Sequence, residues 1–256
     1  EKIGEARITS TKNRERFVED EDNILYTTSS RAIQSLLAEG RTLPTFEKAG
    51  PRSQIYFDPS KLRCGIVTCG GLCPGINDVI RAIVLSLYHS YGVRTIWGFR
   101  YGFEGLASSY GHELMELDPE AVKDIHQKGG TILSSSRGPQ DLEDMVDTLE
   151  RMNIGILFAI GGDGTLRGAR AIAEEIRKRN LKVAVVGVPK TIDNDIAYMD
   201  LSFGFMTAVS EATRVIYGAH SEATGARNGI GLMRLRGWHS RRTPPPTPSG
   251  STRRNF

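Results

Sequence analysis

The chain has 256 residues, a formal net charge of +3 at pH 7 and 39% hydrophobic residues, which is enough apolar material for the core of one large domain or two small ones. Five arginines lie in the last 21 residues, and without these five positive charges the remaining chain has a net charge of −2. We therefore expect no nucleic-acid partner for the body of the protein. No window approaches the roughly 18 consecutive apolar residues of a membrane span, so we expect no membrane partner either.

The cysteines indicate a reducing compartment. Cys64, Cys69 and Cys73 are too few and too close together for a disulfide framework, and we expect them to be buried or inert thiols. A zinc site at Cys69 and Cys73 is disfavoured because the five histidines are scattered without ligand spacing. The predicted location is cytoplasmic. A plastid is the alternative, since the sequence begins with Glu rather than Met and a transit peptide would precede it.

The first elements follow a polar, proline-punctuated start, which predicts that residues 1–60 are an extension wrapped around a domain. A regular rhythm then begins. Segments 62–68 and 93–99 are apolar and β-branched, as is typical of strands, and segment 77–91 has apolar residues at helical spacing and stops at Gly92.

The alternation continues over the rest of the chain. Segment 117–130 predicts a helix with Asp118 as its N-cap and Gly129 at its end. Further helices are predicted at 141–153, 165–180 and 205–223, and further strands at 154–160, 182–188 and 227–235, the first two of them buried. This pattern predicts an α/β fold over residues 61–235, with a parallel, Rossmann-like sheet and helices on both faces.

Three loops at carboxyl ends of the predicted strands are candidate ligand sites, because ligands of such sheets bind at that edge. The first is "TCGGLCPGIND", residues 68–78. Gly70 and Gly71 let the backbone come close to a ligand, and the N-terminus of the next helix suits an anion. A tight turn that needs glycine only for its geometry is an equal alternative.

The second loop is "AIGGDGTLRGA", residues 159–169. Gly161, Gly162 and Gly164 remove side chains from a strand-to-helix turn, so a polyphosphate fits against bare backbone at a helix N-terminus. Asp163 would repel phosphates unless Mg²⁺ lies between them, and a helix N-cap is the alternative role for Asp163. The segment matches neither the P-loop pattern nor the dinucleotide pattern GxGxxG.

The third loop is "GVPKTIDNDI", residues 187–196. Thr191, Asp193 and Asp195 alternate, which predicts that their side chains lie on one side of an extended segment. A hydroxyl and two carboxylates beside a phosphate site form a general base with an orienting group. A solvated turn capped by Asp and Asn is the alternative.

Together, in this order and at these strand ends, the three loops resemble the phosphofructokinase family over about residues 1–235, most of all the plant ATP-dependent 6-phosphofructokinases. The resemblance implies phosphorylation of fructose 6-phosphate to fructose 1,6-bisphosphate in glycolysis, with ATP as donor, Mg²⁺ as cofactor and a homo-oligomeric enzyme. Since "GGDGT" also occurs in NAD and lipid kinases, those activities are an alternative, and "PKTIDND" argues against them.

The resemblance also implies roles for individual residues. Asp193 is the implied general base, which takes the proton from the 1-hydroxyl of the sugar, and Asp163 is the implied ligand of Mg²⁺. The implied sugar contacts are Lys190, Thr191, Ile192 and Asp193. The implied ATP contacts are Gly70, Arg137, Gly138, Gly162, Asp163, Gly164 and Thr165.

The phosphoryl donor is the finer question. Relatives that use pyrophosphate are similar, but they carry an aspartate where this chain has Gly164, and a lysine that this chain shares as Lys190. An aspartate there would repel the α-phosphate of a nucleotide, so Gly164 favours ATP. A pyrophosphate-dependent enzyme is the alternative.

The tail, residues 236–256, departs from the family pattern. The family signature Met-Gly-Arg is replaced by Arg236, Gly237 and Trp238, and an Arg- and Pro-rich stretch follows, which predicts disorder. Composition suggests a shifted reading frame or an alternative 3′ end. The second α/β region of the family is then expected to be absent. We therefore expect this chain to be impaired or inactive, and a non-catalytic nucleotide-binding fragment is the alternative function.

Overall fold

A computed structural model describes residues 3–11, 17–196 and 199–233. The N-terminal part contains two short antiparallel ladders and one helix. Strand β1 pairs with β4, and β2 pairs with β3. These elements are β1 (Ile8–Thr9), β2 (Asn23–Leu25), α1 (Ser30–Ala38), β3 (Thr45–Glu47) and β4 (Gln54–Ile55). Helix α1 has no buried residue, and this region contacts the rest through bonds such as Thr11 Oγ1 to Ser90 O at 2.9 Å.

A five-stranded sheet forms the core of the remaining chain. Its order is β7-β6-β5-β8-β9, with β7 antiparallel to β6 and the other neighbours parallel. The strands are β5 (Arg63–Thr68), β6 (Thr95–Phe99), β7 (Leu114–Glu116), β8 (Ile156–Gly161) and β9 (Ala184–Pro189). The four parallel strands confirm the α/β prediction, whereas the antiparallel β7 is an addition to the predicted sheet.

Four longer helices accompany the sheet: α2 (Ile76–Leu85), α3 (Leu142–Arg151), α4 (Asp163–Lys178) and α5 (Phe205–Gly225). Helix α2 continues as a π-helical segment, Ser86–Tyr91, which ends at Gly92 with φ 78°, so the predicted stop is confirmed. The Asp141 carboxylate caps α3 by accepting hydrogen bonds from the amides of Glu143 and Asp144.

The helix predicted at 117–130 is wrong. Asp118 does cap a turn, since its Oδ1 accepts from the amide of Ala121 at 2.7 Å. The backbone then makes mainly i to i+3 hydrogen bonds, and the only helical segment here is the 3₁₀ turn Ile125–Gln127. Val122 and Ile125 are buried, so packing of this short segment under the sheet overrides its helical pattern.

Helices cover both faces of the sheet, as predicted. Neighbouring residues of a strand point to opposite faces, and Ile66 and Val67 accordingly lie in two different buried clusters. One cluster joins Val67 to α3 and α4, and the other joins Ile66 to α2. These clusters hold β5 and β8 rigidly and thereby fix the loops that leave their carboxyl ends.

Two further predictions fail on the β9 side. Strand β9 is only partly buried, and Val186 is 40% exposed, because β9 is an edge strand in the described part of the sheet. The strand predicted at 227–235 is absent from its described part, 227–233, and the remaining two residues lie outside the described chain, as does the tail at 236–256. No helix within the described residues is both long and apolar enough to cross a membrane.

Candidate active site

A cleft of about 740 Å³ lies at the carboxyl ends of β5, β8 and β9. It brings together ten of the predicted site residues. These are Gly70, Arg137, Gly138, Gly162, Gly164, Thr165, Lys190, Thr191, Ile192 and Asp193. Asp163 and Asp195 do not line the cleft. The three loops that were selected from the sequence therefore meet at one place, together with the "SSSRGP" segment.

Backbone hydrogen bonds join these loops to one another. The amide of Cys69 donates to Ile160 O at 2.9 Å, and the amide of Lys190 donates to Gly161 O at 2.9 Å. The amide of Gly70 donates to Ser136 O at 3.2 Å, and Ser135 Oγ donates to Gly70 O at 2.6 Å. The walls of the cleft are thus held in place by three main-chain hydrogen bonds and one bond from the Ser135 hydroxyl, and none of these depends on a ligand.

Gly70 and Gly138 have backbone conformations that favour glycine, with φ of 82° and 107°. At Gly138 a Cβ would meet nothing within 4 Å, and at Gly70 it would meet only Lys190 Nζ at 3.9 Å. The space beside both residues is therefore open. The positive φ of Gly70 fits the alternative in which glycine is needed for a tight turn, and the same residue also exposes bare backbone to the cleft.

A Cβ would have different surroundings at each of the three glycine positions of the second loop. A Cβ on Gly161 would collide with the Thr165 side chain, so this glycine allows the strand and α4 to pack closely. A Cβ on Gly162 would lie 3.2 Å from Lys190 O, so the second glycine lets the backbone just after β9 approach. A Cβ on Gly164 would meet nothing within 4 Å, so the third glycine borders open space. Backbone clearance for a ligand explains Gly164 but not Gly161.

Asp163 is the first residue of α4 and is exposed. Gly162 occupies the N-cap position, and no side chain caps the helix, so the alternative of Asp163 as N-cap is wrong. Within the described residues Asp163 makes no hydrogen bond or ion pair, and no three His, Cys, Asp or Glu side chains form a metal-binding group. Its carboxylate is free to meet a ligand beside the positive end of the α4 dipole.

The third loop is folded rather than extended, which corrects the prediction. Thr191 Oγ1 donates to Asp195 Oδ1 at 2.5 Å and accepts from the Asp193 amide at 3.1 Å. Ser202 Oγ donates to Thr191 O at 2.7 Å, and this bond ties the loop to the segment that precedes α5. Asp195 therefore holds Thr191 in place, whereas Asp193 is one of the residues that line the cleft.

Lys190 is the one charged residue that is buried among the described residues, with 5% exposure. Its Nζ donates a hydrogen bond to Gly71 O, across the cleft from its own loop. Burial lowers the pKa of Lys190; the thiols of Cys73 and Cys69 oppose this shift, and the Arg137 guanidinium adds to it. A bound anion would stabilise this buried ammonium group, and without an anion the group loses its proton more readily than an exposed lysine does.

The cysteine thiols are buried and free, as predicted. Burial raises the pKa of Cys64 to about 12 and of Cys69 to about 11, and it also raises the pKa of Cys73. Thiols with such pKa values carry almost no thiolate near neutral pH and are poor nucleophiles and metal ligands.

The sequence did not point to the apolar wall of the cleft. Phe103, Leu142 and Met145 line it, and Phe103 lies so close to Gly168 that a Cβ there would be 2.6 Å from the ring. Gly168 thus belongs to the site through packing with an aromatic ring. The available signal was that Phe103 follows β6, whose carboxyl end is at the same edge of the sheet as the three loops.

Comparisons with known proteins find relatives from the same family that the three loops resemble. The ATP-dependent 6-phosphofructokinase of Borreliella burgdorferi is 56% identical over 191 residues, which are 75% of this chain and 43% of that protein. The enzyme of that name from Amycolatopsis methanolica is 46% identical over 236 residues, 92% of this chain and 51% of that protein. ATP-dependent 6-phosphofructokinase 7 of Arabidopsis thaliana is 52% identical over 195 residues, which are 76% of this chain and 40% of that protein. The chain spans about half the length of these relatives or less.

Solved structures support the fold. The phosphofructokinase of Saccharomyces cerevisiae has a TM-score of 0.56 at 25% identity, and the match covers 64% of this chain and 24% of that chain. The pyrophosphate-dependent phosphofructokinase of Marinobacter aquaeolei has a TM-score of 0.57 at 21% identity. The match covers 64% of this chain and 42% of that chain, and it shows a likeness of fold alone. The family profile named phosphofructokinase matches residues 63–241. The chain belongs to the phosphofructokinase family.

Proposed function

We propose that this chain forms the nucleotide-binding part of an ATP-dependent 6-phosphofructokinase, which transfers the γ-phosphoryl group of ATP to the 1-hydroxyl of fructose 6-phosphate. The observation that carries the proposal is the convergence of the three predicted loops on one cleft. The relatives named ATP-dependent 6-phosphofructokinase, at 46–56% identity, support the same activity.

The cleft offers two kinds of surface that suit ATP. Bare backbone at Gly70, Gly162 and Gly164, the N-terminus of α4 and the Arg137 guanidinium suit its phosphates. The apolar wall of Phe103, Leu142 and Met145 suits its base, since flat apolar surface takes up an aromatic ring. We assign the phosphates to the first surface and the base to the second.

Asp163 is the proposed ligand of Mg²⁺. Its carboxylate is exposed and free of protein partners among the described residues, at the end of α4 where the phosphates are assigned. Mg²⁺ is typically held by one or two carboxylates, water and phosphate oxygens, so a single carboxylate fits. When bound, the ion would neutralise charge on the phosphate oxygens.

Asp193 is the proposed general base. Asp193 is one of the residues that line the cleft, and its amide donates to Thr191 Oγ1, which Asp195 in turn orients. Asp193 accepts the proton of the sugar hydroxyl while that oxygen attacks the γ-phosphorus and ADP departs. Thr191, Ile192 and Lys190 are the proposed contacts of the sugar phosphate side.

Gly164 supports ATP over pyrophosphate as donor, because the space beside its Cα is open in the protein and available to a nucleotide. An aspartate in this space would place a carboxylate beside the α-phosphate. Lys190 remains a pyrophosphate-like feature, so the donor must be tested directly. We further propose a cytoplasmic protein, in keeping with its buried, free thiols. A homo-oligomer is proposed from the family resemblance alone.

A second candidate is a non-catalytic nucleotide-binding chain, which the exposure of β9 and α5 favours. Phe205 is the only buried residue of α5 among those described. A coupled assay for fructose 1,6-bisphosphate, run beside a calorimetric titration with ATP and Mg²⁺, separates the two. Turnover with ATP supports the kinase, binding without turnover supports the second candidate, and turnover with pyrophosphate but not ATP contradicts both.

A further inference from the structure

Lys190 is a proposed contact of the sugar phosphate, and its burial gives it properties beyond that role. It is the single buried charged residue in the described part of the chain, and it lines the cleft. Within that part of the chain no carboxylate lies within ion-pair distance of its Nζ, whose hydrogen bond goes to the carbonyl of Gly71. A buried ammonium without a counter-ion is costly, and it loses its proton more readily than an exposed one.

The groups around Nζ do not offset the readier loss of its proton. The titratable groups beside it are the thiols of Cys69 and Cys73 and the guanidinium of Arg137. The thiols are themselves buried and protonated near neutral pH, so they supply no negative charge. Lys190 therefore presents more neutral amine near neutral pH than the lysines on the surface, and neutral amine is the nucleophilic form.

The same cleft gathers groups that attract phosphate. Gly70, whose Cβ position would be 3.9 Å from Nζ, Gly162 and Arg137 all line it. A molecule that carries both a phosphate and an electrophilic carbon would be held with that carbon close to a nucleophilic amine. Proximity of this kind converts a slow bimolecular reaction into a fast reaction within a complex.

We propose that Lys190 is a covalent modification site for phosphorylated aldehydes. This proposal rests on the proposed function in one respect, that the cleft binds phosphate. The neutral ε-amine adds to the aldehyde carbon, and the resulting carbinolamine loses water. The water takes the aldehyde oxygen and the two amine protons, and a carbon–nitrogen double bond is left. The adduct fills the phosphate side of the cleft and excludes ATP until it is hydrolysed.

Pyridoxal 5′-phosphate is the probe, and pyridoxal without the phosphate is its matched control. The full chain is treated with each aldehyde and then with borohydride, which delivers hydride to the imine carbon and leaves a stable secondary amine. Peptide mapping by mass spectrometry locates the label. We expect Lys190 to be labelled about tenfold faster, or more, by the phosphorylated aldehyde than by pyridoxal, because the cleft concentrates the anion.

Two variants and a ligand complete the test. Lys190→Arg keeps the positive charge and removes the nucleophile, so we expect loss of this label, whereas Lys61→Arg, at a side chain with 85% exposure, leaves it unchanged. Saturating ATP with Mg²⁺ should suppress the labelling of Lys190 and not that of surface lysines. Circular dichroism checks that both variants fold, and mapping of the wild-type chain requires no variant.

The outcomes separate this proposal from the proposed function. If ATP raises the melting temperature of the chain and Lys190 is labelled no faster than Lys61, the modification site is refuted and the nucleotide site stands. If Lys190 is labelled rapidly and phosphate-dependently but ATP neither protects it nor stabilises the chain, the modification site stands and the nucleotide assignment is wrong. Equal labelling by the two aldehydes also refutes the proposal.

Discussion

The β5–β8 half of the sheet and the β9–α5 side of the molecule come from similar sequence patterns, yet they are packed very differently. Leu157 in β8 is completely buried, whereas Val186 in β9 is 40% exposed and Val215 in α5 is 60% exposed. Strand β8 has neighbours on both sides and helices on both faces, whereas β9 pairs only with β8 in the described sheet. An apolar strand pattern therefore predicts a strand but not the number of its neighbours.

The difference also runs through the cleft. Its first two loops leave the well-packed strands β5 and β8, and backbone bonds hold them together. The third loop leaves β9 and is joined to the second loop by the backbone bond from Lys190 N to Gly161 O, but its shape depends mainly on side-chain bonds, from Thr191 to Asp195 and from Ser202 to Thr191. The proposed phosphate surface thus lies on the rigid half, and the proposed general base Asp193 lies on the less buried side.

The largest expected effect is on stability in the rigid half. Leu157→Ala removes a fully buried side chain, and we expect it to lower the free energy of unfolding by about 2–5 kcal/mol. The matched change Val215→Ala on α5 should alter it by no more than about 0.5 kcal/mol. Urea denaturation followed by fluorescence measures both, and equal losses would contradict the contrast between the two regions.

The next effect distinguishes two glycines of one loop. Gly161→Ala places a Cβ into Thr165, so we expect a loss of about 1–3 kcal/mol in the free energy of unfolding. Gly164→Ala meets open space in the first turn of α4, so we expect no loss of stability. Thermal melts of the two variants compare them. A stable Gly161→Ala variant would show that close packing is not the reason for that glycine.

Two aspartates at helix starts should separate stability from binding. Asp141→Ala removes the two hydrogen bonds that cap α3, at a cost of about 0.5–2 kcal/mol in the free energy of unfolding. Asp163→Ala removes no cap and should leave that free energy nearly unchanged, while weakening the binding of ATP in the presence of Mg²⁺. Chemical denaturation and calorimetry on the two variants test this. Weaker ATP binding in Asp141→Ala alone would reverse the assignment.

The effect that is smallest near neutral pH concerns the thiols, and it develops only at alkaline pH. Burial raises the pKa of Cys64 to about 12 in the folded chain, above the value of 9.0 for an exposed thiol. The contribution of the buried, protonated thiol to the stability of the fold is therefore complete below pH 9. This contribution is lost as the pH rises from 9 toward 12, because only the unfolded chain releases the proton readily. Cys64→Ala should therefore show a shallower loss of stability than the wild-type chain above pH 9. Parallel curves for the two proteins would contradict the burial of this thiol.

Much of this arrangement could be predicted from the sequence, for identifiable reasons. Strands β5 and β8 and helices α2, α3 and α4 have strong periodic patterns with clear stop signals such as Gly92, and the three loops follow from strand ends. The helix predicted at 117–130 failed because a short amphipathic pattern is shared by a turn that buries Val122 and Ile125. The folded third loop was missed because side-chain bonds such as Thr191 to Asp195 depend on backbone geometry that alternation does not reveal.

The most direct test of the central claim is a calorimetric titration of the full chain with ATP and with pyrophosphate, each in the presence of Mg²⁺, on wild type, Asp163→Ala and Gly164→Asp. We expect that wild type binds ATP more tightly than pyrophosphate, that Asp163→Ala weakens ATP binding, and that Gly164→Asp weakens ATP binding more than pyrophosphate binding. A wild-type chain that binds pyrophosphate and not ATP, or ATP binding that neither substitution changes, would contradict it.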